Sequence, residues 1–202
     1  MQRAWVRPGG NLTGVSSLNA EVGPKRLELL HELLPAATDF ALLVNPTNPV
    51  NAEATFADLH TAAIALELNL HVLNASKEED FETAFEAMAQ LHVGGLVIAN
   101  ETFFANRGEQ LGALAARHAM PGVRQSRAFA AAGGLMSYGG SVMESHHQAG
   151  VYVGRVLKGE KPADLPIQQV TKVEFAFNLR AARVLGINPS LSFIARANEV
   201  IE

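Results

Sequence analysis

Residues 40–48 read F-A-L-L-V-N-P-T-N, five apolar positions that stop abruptly at a polar, proline-punctuated loop. Five residues are too few for a helix and too unbroken for a strand with one wet face. The run therefore predicts a parallel strand over 40–44 covered on both sides. In open parallel sheets ligands sit beyond the carboxyl ends of the strands, which makes Asn45, Thr47 and Asn48 the first candidates for a site. Turn chemistry alone explains the same residues as a βα turn with a helix cap, so both readings stand at this point.

The same unit recurs around that strand. Before it, Pro24 stands where a helix start tolerates proline, Leu27, Leu30 and Leu34 form an i, i+3, i+7 stripe, and Pro35 ends the helix. After it, Asn51 is the expected N-cap of a helix reaching to about residue 68, with Phe56, Leu59, Ala63 and Leu66 on one face. A short strand over 70–73 follows. Ser76 and Glu79 form an S-x-x-E capping box opening a helix that bears Phe81, Phe85 and Met88. V-G-G-L-V-I-A at 93–99 is a third buried strand ending at Asn100-Glu101-Thr102, and a helix over about 106–119 is stopped by Pro121. Strands and helices alternating at this spacing imply right-handed crossovers, hence an α/β fold: a parallel sheet with helices on both faces.

Beyond residue 121 the rhythm changes. Residues 122–126 and 134–138 are short strand candidates around the small apolar run 129–133. A helix over 142–157 is expected to pack through Ala149, Val153 and Val156, and Gly150 and Gly154 would let it lie close to a sheet. Residues 160–166 form a charged, proline-marked linker, then 167–170 and 173–177 read as strands and 179–185 as a short helix before a mixed tail. Ahead of everything, residues 1–10 hold Trp5 and a Pro8-Gly9-Gly10 loop, and 11–17 is a weakly alternating strand.

Composition narrows the functions. A chain of 202 residues, 48% hydrophobic, can bury a core as one domain or two small lobes. A formal net charge of −4 offers no basic surface for nucleic acid or an anionic membrane, and no nucleic-acid partner is expected. With no cysteine, disulfides, thiolate zinc sites and a catalytic thiol are excluded. No run approaches the ~20 apolar residues of a membrane span, and residues 1–8 carry Arg3 and Arg7 without an apolar export core, so no signal peptide is expected in this chain.

The motifs of common cofactor and hydrolase sites are missing. The 17 glycines include no G-x-G pair and no phosphate loop, and no G-x-S-x-G elbow occurs, so neither a nucleotide cofactor nor a serine nucleophile is expected. The seven histidines are scattered, and the adjacent His146 and His147 would point about 100° apart on a helix, unlike a metal-binding i, i+4 pair. Most carboxylates lie on helix surfaces. Glu101 is different: it follows the third strand at the same sheet edge as Asn45, with Phe103 and Phe104 next to it. Gln125 and Ser126 end the next strand candidate, and Ser137 and Tyr138 the one after. Amide, carboxylate, hydroxyl and aromatic groups converge there without a nucleophile–base pair, an inventory that binds and does not react. The plain alternative is that these are ordinary polar loop residues.

Four stretches together carry a resemblance: P-G-G-N-L-T-G-V-S at 8–16, P-K-R-L-E-L-L at 24–30, A-A-G-G-L-M-S-Y-G at 131–139 and L-K-G-E-K-P-A-D-L-P at 157–166. They resemble the substrate-binding proteins of ABC uptake transporters, in the subfamily related to tryptophan and tyrosine binders, with the two-lobed type I periplasmic-binding fold. The resemblance covers essentially the whole chain. It implies a periplasmic protein that binds a small polar or amino-acid-like ligand by hinge closure, without chemistry, and delivers it to an ABC permease in the membrane. Members carry, ahead of the P-G-G-N segment, a secretion signal and roughly a hundred residues of the first lobe, so the chain is expected to be truncated and to hold mainly the second lobe. On that reading 1–17 is an N-terminal segment and hinge strand, 18–140 the second lobe, and 141–202 a return to the missing first lobe plus a tail. Ser16, Asn45, Asn48, Glu101, Phe103, Gln125 and Tyr138 are the ligand-binding residues it implies. Two other classes share the architecture: the ligand-sensing effector domain of a transcription regulator, and an α/β enzyme of flavodoxin-like or hydrolase type. The apolar side of the 142–157 helix lacks the first-lobe strands it would pack on, and a homodimer is expected to cover it.

Overall fold

The computed structural model describes residues 10–19 and 21–202, so the expectations for residues 1–9, the Trp5 and Pro8-Gly9 loop among them, lie outside the described residues. The described residues form two compact units, one of the segment ending at residue 18 together with 140–173, the other of the segment from 19 to 139 together with 174–202. The second of these takes in residues 174–202, within the stretch 141–202 expected to be a return to the missing first lobe plus a tail.

The larger unit is built on β2 (Asp39–Val44), β3 (Asn69–Asn74), β4 (Gly95–Ile98), β5 (Gly122–Arg124), β6 (Met136–Gly140), β8 (Val173–Asn178) and β9 (Glu199–Ile201), in spatial order β3-β2-β4-β5-β6-β8-β9. The pairs β2–β3, β2–β4, β4–β5, β5–β6 and β8–β9 are parallel. Ser141 N–H donates to Lys172 O and Asn178 N–H to Leu135 O, which sets β6 and β8 running in opposite directions. The sheet is thus mostly parallel, with one reversal. Phe40 to Val44 and all of β4 and β5 are buried on both sides of the pleat, as the unbroken apolar runs required.

Helices α1 (Gly23–Leu33), α2 (Pro49–Ala65), α3 (Glu79–Gln90), α4 (Thr102–Ala105), α5 (Gly108–Arg117), α6 (Arg127–Ala131), α8 (Leu179–Val184) and α9 (Leu191–Ile194) connect these strands. Their buried residues join one core through Leu27, Leu30, Leu59, Phe81, Phe85, Met88, Phe104, Leu111 and Phe129. Several local expectations shift. The cap of α2 is Asn48 rather than Asn51, because Pro49 takes the first helical position and Asn48 Oδ1 accepts from Asn51 N–H at 3.4 Å. The Ser76–Glu79 capping box does not form: Asp80 Oδ2 instead accepts from Ser76 N–H at 2.8 Å and Lys77 N–H at 3.1 Å. These bonds to the ionised form hold the Asp80 carboxyl below its usual range, with the Ser76 backbone bond the largest cause. The expected 106–119 helix is α5 over Gly108–Arg117, and a further turn, α4, stands before it; the break at Asn106–Arg107 is stitched by Arg107 Nη1 donating to Phe103 O at 3.0 Å.

The short helix α6 occupies the run that sequence reading left between two strands. Its Phe129 is fully buried in a socket walled by glycines. A Cβ on Gly134 would lie 2.2 Å from the Phe129 ring, one on Gly122 2.9 Å from it, and one on Gly112 2.4 Å from Phe129 O. Three positions without side chains therefore let α5, α6 and the sheet close on a single aromatic ring. The strand that follows runs over 136–140 rather than 134–138, placing Tyr138 in mid-strand.

The C-terminal residues complete the larger core. Phe175 and Phe177 on β8 meet the Phe193 ring of α9 edge-to-face at 5.6 and 5.5 Å, and Asn198 Oδ1 accepts from Phe175 N–H at 2.7 Å. Asn178, buried, caps α8 through Ala181 N–H at 2.8 Å and donates to Ala130 O at 2.8 Å, leaving neither end of its amide idle.

The smaller unit holds the parallel pair β1 (Val15–Ser17) and β7 (Gln168–Val170), the helix α7 (Val142–Leu157) and a 3-10 turn over Pro162–Asp164. The first strand is shorter than the expected 11–17. Ser141 Oγ caps α7 by accepting from Glu144 N–H at 3.2 Å, Tyr152 Oη donates to Pro166 O at 2.7 Å, and Thr13 Oγ1 donates to Leu165 O at 2.9 Å. The helix is anchored through Tyr152, the buried residue of α7, and not through the expected Ala149–Val153–Val156 stripe. Val153 and Val156 are exposed, and no described residue lies within 4 Å of a Cβ built on Gly150 or Gly154, so the expected close packing of these glycines on a sheet is not seen among the described residues.

Candidate functional site

The carboxyl ends of β2, β4 and β5 lie side by side in the larger unit, and the residues that follow them form a connected polar group. Asn45, buried, closes the loop after β2: its Oδ1 accepts from Thr47 N–H at 3.0 Å and Thr47 Oγ1 at 2.8 Å, while its Nδ2 donates to Glu101 Oε2 at 3.4 Å. That last bond joins the ends of two adjacent strands. Glu101 Oε2 also accepts from Phe103 N–H at 2.7 Å, capping α4. Phe103 lies 5.5 Å from Phe81 and 5.3 Å from Phe104, with the Arg107 guanidinium 4.2 Å over its ring.

The structure brings Asn45, Glu101 and Phe103 together and gives Asn48 a separate task at the α2 cap. Gln125 follows β5 at the same edge, and its Oε1 is buried with no hydrogen-bond partner. Tyr138 stands on the neighbouring strand β6, one residue past the Arg124–Ser137 pair and so alongside Gln125; its ring packs edge-to-face on Phe175 at 5.9 Å and its carbonyl accepts from Arg26 Nε at 2.7 Å. Ser16 belongs to the smaller unit, where it pairs with Gln169.

Two residues that sequence reasoning passed over stand at this edge. Arg26, in the first turn of α1, is buried and donates to Tyr138 O and, at 3.0 Å, to Asn19 O. Arg124 ends β5 with 0% exposure, and none of its three guanidinium nitrogens has a partner. Burial, with the Arg124 charge adding to it, pushes the Arg26 guanidinium down to about 10, and burial alone does the same to Arg124. The signal was present in the sequence: V-R-Q interrupts a strand otherwise buried, and a charge at such a position needs a reason.

No nucleophile–base pair appears among the polar contacts at this edge, which consist of amides, one carboxylate, hydroxyls and guanidinium groups. Such a set is suited to hydrogen bonding and charge pairing rather than to bond-making. Sheet, edge and two-unit construction are those of the type I periplasmic-binding fold. The model of the family described as ABC transporter substrate binding protein matches residues 1–201, and the chain belongs to that family. Among solved structures, the chain is similar to a conserved domain protein from Vibrio cholerae (25% identity, TM-score 0.85, 97% of this chain and 65% of that one). It is also similar to an ABC domain in complex with L-Trp from Streptococcus pneumonia, at 23% identity and TM-score 0.84 over 98% and 67% of the two chains. A third, the ligand-free, open structure of CD0873, a substrate binding protein with adhesive properties from Clostridium difficile, matches at 18% identity and TM-score 0.70 over 98% and 65%. The chain thus spans about two thirds of the length of these proteins. Comparison with curated proteins returned no match. No helix among the described residues is long and apolar enough to cross a membrane.

Proposed function

We propose that this chain is the solute-binding component of an ABC uptake transporter, working in the periplasm and delivering a small polar or amino-acid-like molecule to its permease without chemistry. The observation that carries the reading is the Asn45–Glu101 bond, which ties the ends of β2 and β4 into one polar wall with Phe103 beside it. The wall is preformed. Asn45 and Glu101 are held by neighbours before any ligand arrives, so little ordering entropy is lost on binding. A carboxylate with an aromatic neighbour suits a ligand bearing an ammonium or hydroxyl donor and an apolar body. The family and the complex of its relative with L-Trp support an amino acid as that molecule.

Calorimetric titration of the 202-residue chain with the twenty amino acids and a set of pentoses and hexoses tests this. Saturable binding of one class is expected, and Glu101→Gln should weaken it by about 1–3 kcal/mol, the cost of losing one charge-assisted partner. Heats indistinguishable from dilution across the whole set would refute the solute-binding reading, and full affinity in the variant would move the site away from Glu101.

We also propose that two copies associate through α7. Val142, Met143, Val151, Val153, Val156 and Leu157 are exposed on this helix, Met143 and Leu157 at 82%. Each such side chain gains roughly 1.5–3 kcal/mol on full burial, so a few of them sharing an interface suffice for association. Sedimentation equilibrium should give a mass near twice 21.6 kDa that falls with Met143→Glu and Leu157→Glu; a monomer at every concentration would dismiss the dimer.

A further inference from the structure

The strongest unexplained charge in the larger unit is Arg124. It is fully buried, its Nε, Nη1 and Nη2 lack any partner, and it forms no ion pair among the described residues. A buried charge persists only when something of opposite sign meets it, because the low dielectric that penalises it also magnifies each unbalanced interaction. Its surroundings make the imbalance worse. Its charge also bears on the neighbouring cation Arg26, whose own donors go to the neutral carbonyls of Tyr138 and Asn19. Arg124 Nη1 would lie 3.3 Å from a Cβ on Gly108, the first residue of α5. That helix of 10 residues begins without a side-chain cap, so its N-terminal amides present partial positive charge toward the same place. The missing side chain at Gly108 is what lets the Arg124 guanidinium come this close to the start of the helix.

Resting on the solute-binding reading, we infer that Arg124 and the uncapped N-terminus of α5 at Gly108 form the subsite for a carboxylate carried by the transported solute. The planar fork of a guanidinium matches the two oxygens of a carboxylate in a bidentate pair, and amides of α5 are available to the same oxygens. A single free guanidinium leaves further oxygens of phosphate or sulfate without partners, which favours carboxylate over the inorganic anions. One residue along the chain, the unpartnered Gln125 Oε1 supplies an acceptor, so the solute would carry a hydrogen-bond donor as well: an amino or hydroxy acid rather than a simple fatty acid.

The test uses the whole chain and three probes at constant ionic strength: sodium benzoate, benzamide as its neutral counterpart, and inorganic phosphate. The side-chain Nε–H resonance of Arg124 is assigned by its absence in Arg124→Met. Benzoate is expected to shift that resonance and raise the melting temperature by several degrees, with benzamide and phosphate doing neither. In Arg124→Met the benzoate response should disappear, while the unliganded variant melts no lower than the natural protein, since an unneutralised cation has been removed. Arg124→Lys, which keeps the charge and loses the fork, should bind benzoate at least tenfold more weakly, and it serves where the methionine variant does not fold. An unmoved Arg124 resonance, benzoate stabilisation that survives in Arg124→Met, or an equal response to phosphate would each overturn the carboxylate subsite. These outcomes separate from those for solute binding as a whole: a neutral sugar that binds the natural protein and Arg124→Met equally keeps the transport reading and removes only this subsite. Benzoate at Arg124 with no amino acid or sugar bound does the reverse.

Discussion

Phe177→Ala is expected to remove about 3–5 kcal/mol of unfolding free energy, the range for deleting a buried aromatic ring that cannot be backfilled. Phe177 is wholly buried on β8, and its ring meets Phe193 at 5.5 Å in the edge-to-face geometry that adds to simple burial. The variant probes more than one side chain. Residues 174–202 sit far along the chain from β2 and β4, yet the structure makes them part of the same core. Urea unfolding followed by far-ultraviolet circular dichroism should show one transition whose midpoint drops with little change of slope. A loss below about 1 kcal/mol, well short of the range for a buried ring, would detach the C-terminal segment from the core and restore the division at residue 140 that the sequence suggested.

Gly112→Val should cost about 3 kcal/mol, near the top of the range for overpacking, because the new side chain meets backbone. A Cβ at this position would lie 2.4 Å from Phe129 O and 3.0 Å from Ala132 Cβ, so either α5 or α6 must move off the sheet. The opposite sign is expected at Gly150, another glycine inside a helix. No described residue lies within 4 Å of its Cβ position, and Gly150→Ala should stabilise the chain by about 0.5–1 kcal/mol through helix propensity alone. Thermal unfolding of the two variants side by side is the measurement. Equal, small effects in both would mean that α6 does not lie against α5, and the glycine socket around Phe129 would be wrong.

The longer strands and helices up to residue 185, and their kind, were mostly legible from the residues themselves. The buried strands at 40–44 and 93–99 announced themselves because both faces of a parallel strand are apolar, and the helix over 142–157 has the bounds its pattern implied. These are short-range properties: the pleat repeats every two residues, the helix every 3.6, and proline and glycine punctuate both. Caps were harder, since Asn48 and Asn51 are equally good capping residues and Pro49 decides between them by occupying the first helical turn. At the site, Asn45, Glu101 and Phe103 could be placed at one sheet edge by the rule for parallel strands, but their mutual bonding depends on β2 and β4 being neighbours.

What only the tertiary structure decided are the relations between distant residues. No local pattern shows that β8 and β9 close the larger sheet beside β6, because pairing partners are chosen by packing across long separations and not by the strand's own composition. The same holds for the short helix at 127–131, which is stable because Phe129 fits between Gly112, Gly122 and Gly134. Arg124 is the sharpest case. As a letter in the sequence it is an ordinary arginine that solvent or a carboxylate would satisfy, and it becomes a site only because the fold removes both water and counter-charge from around it.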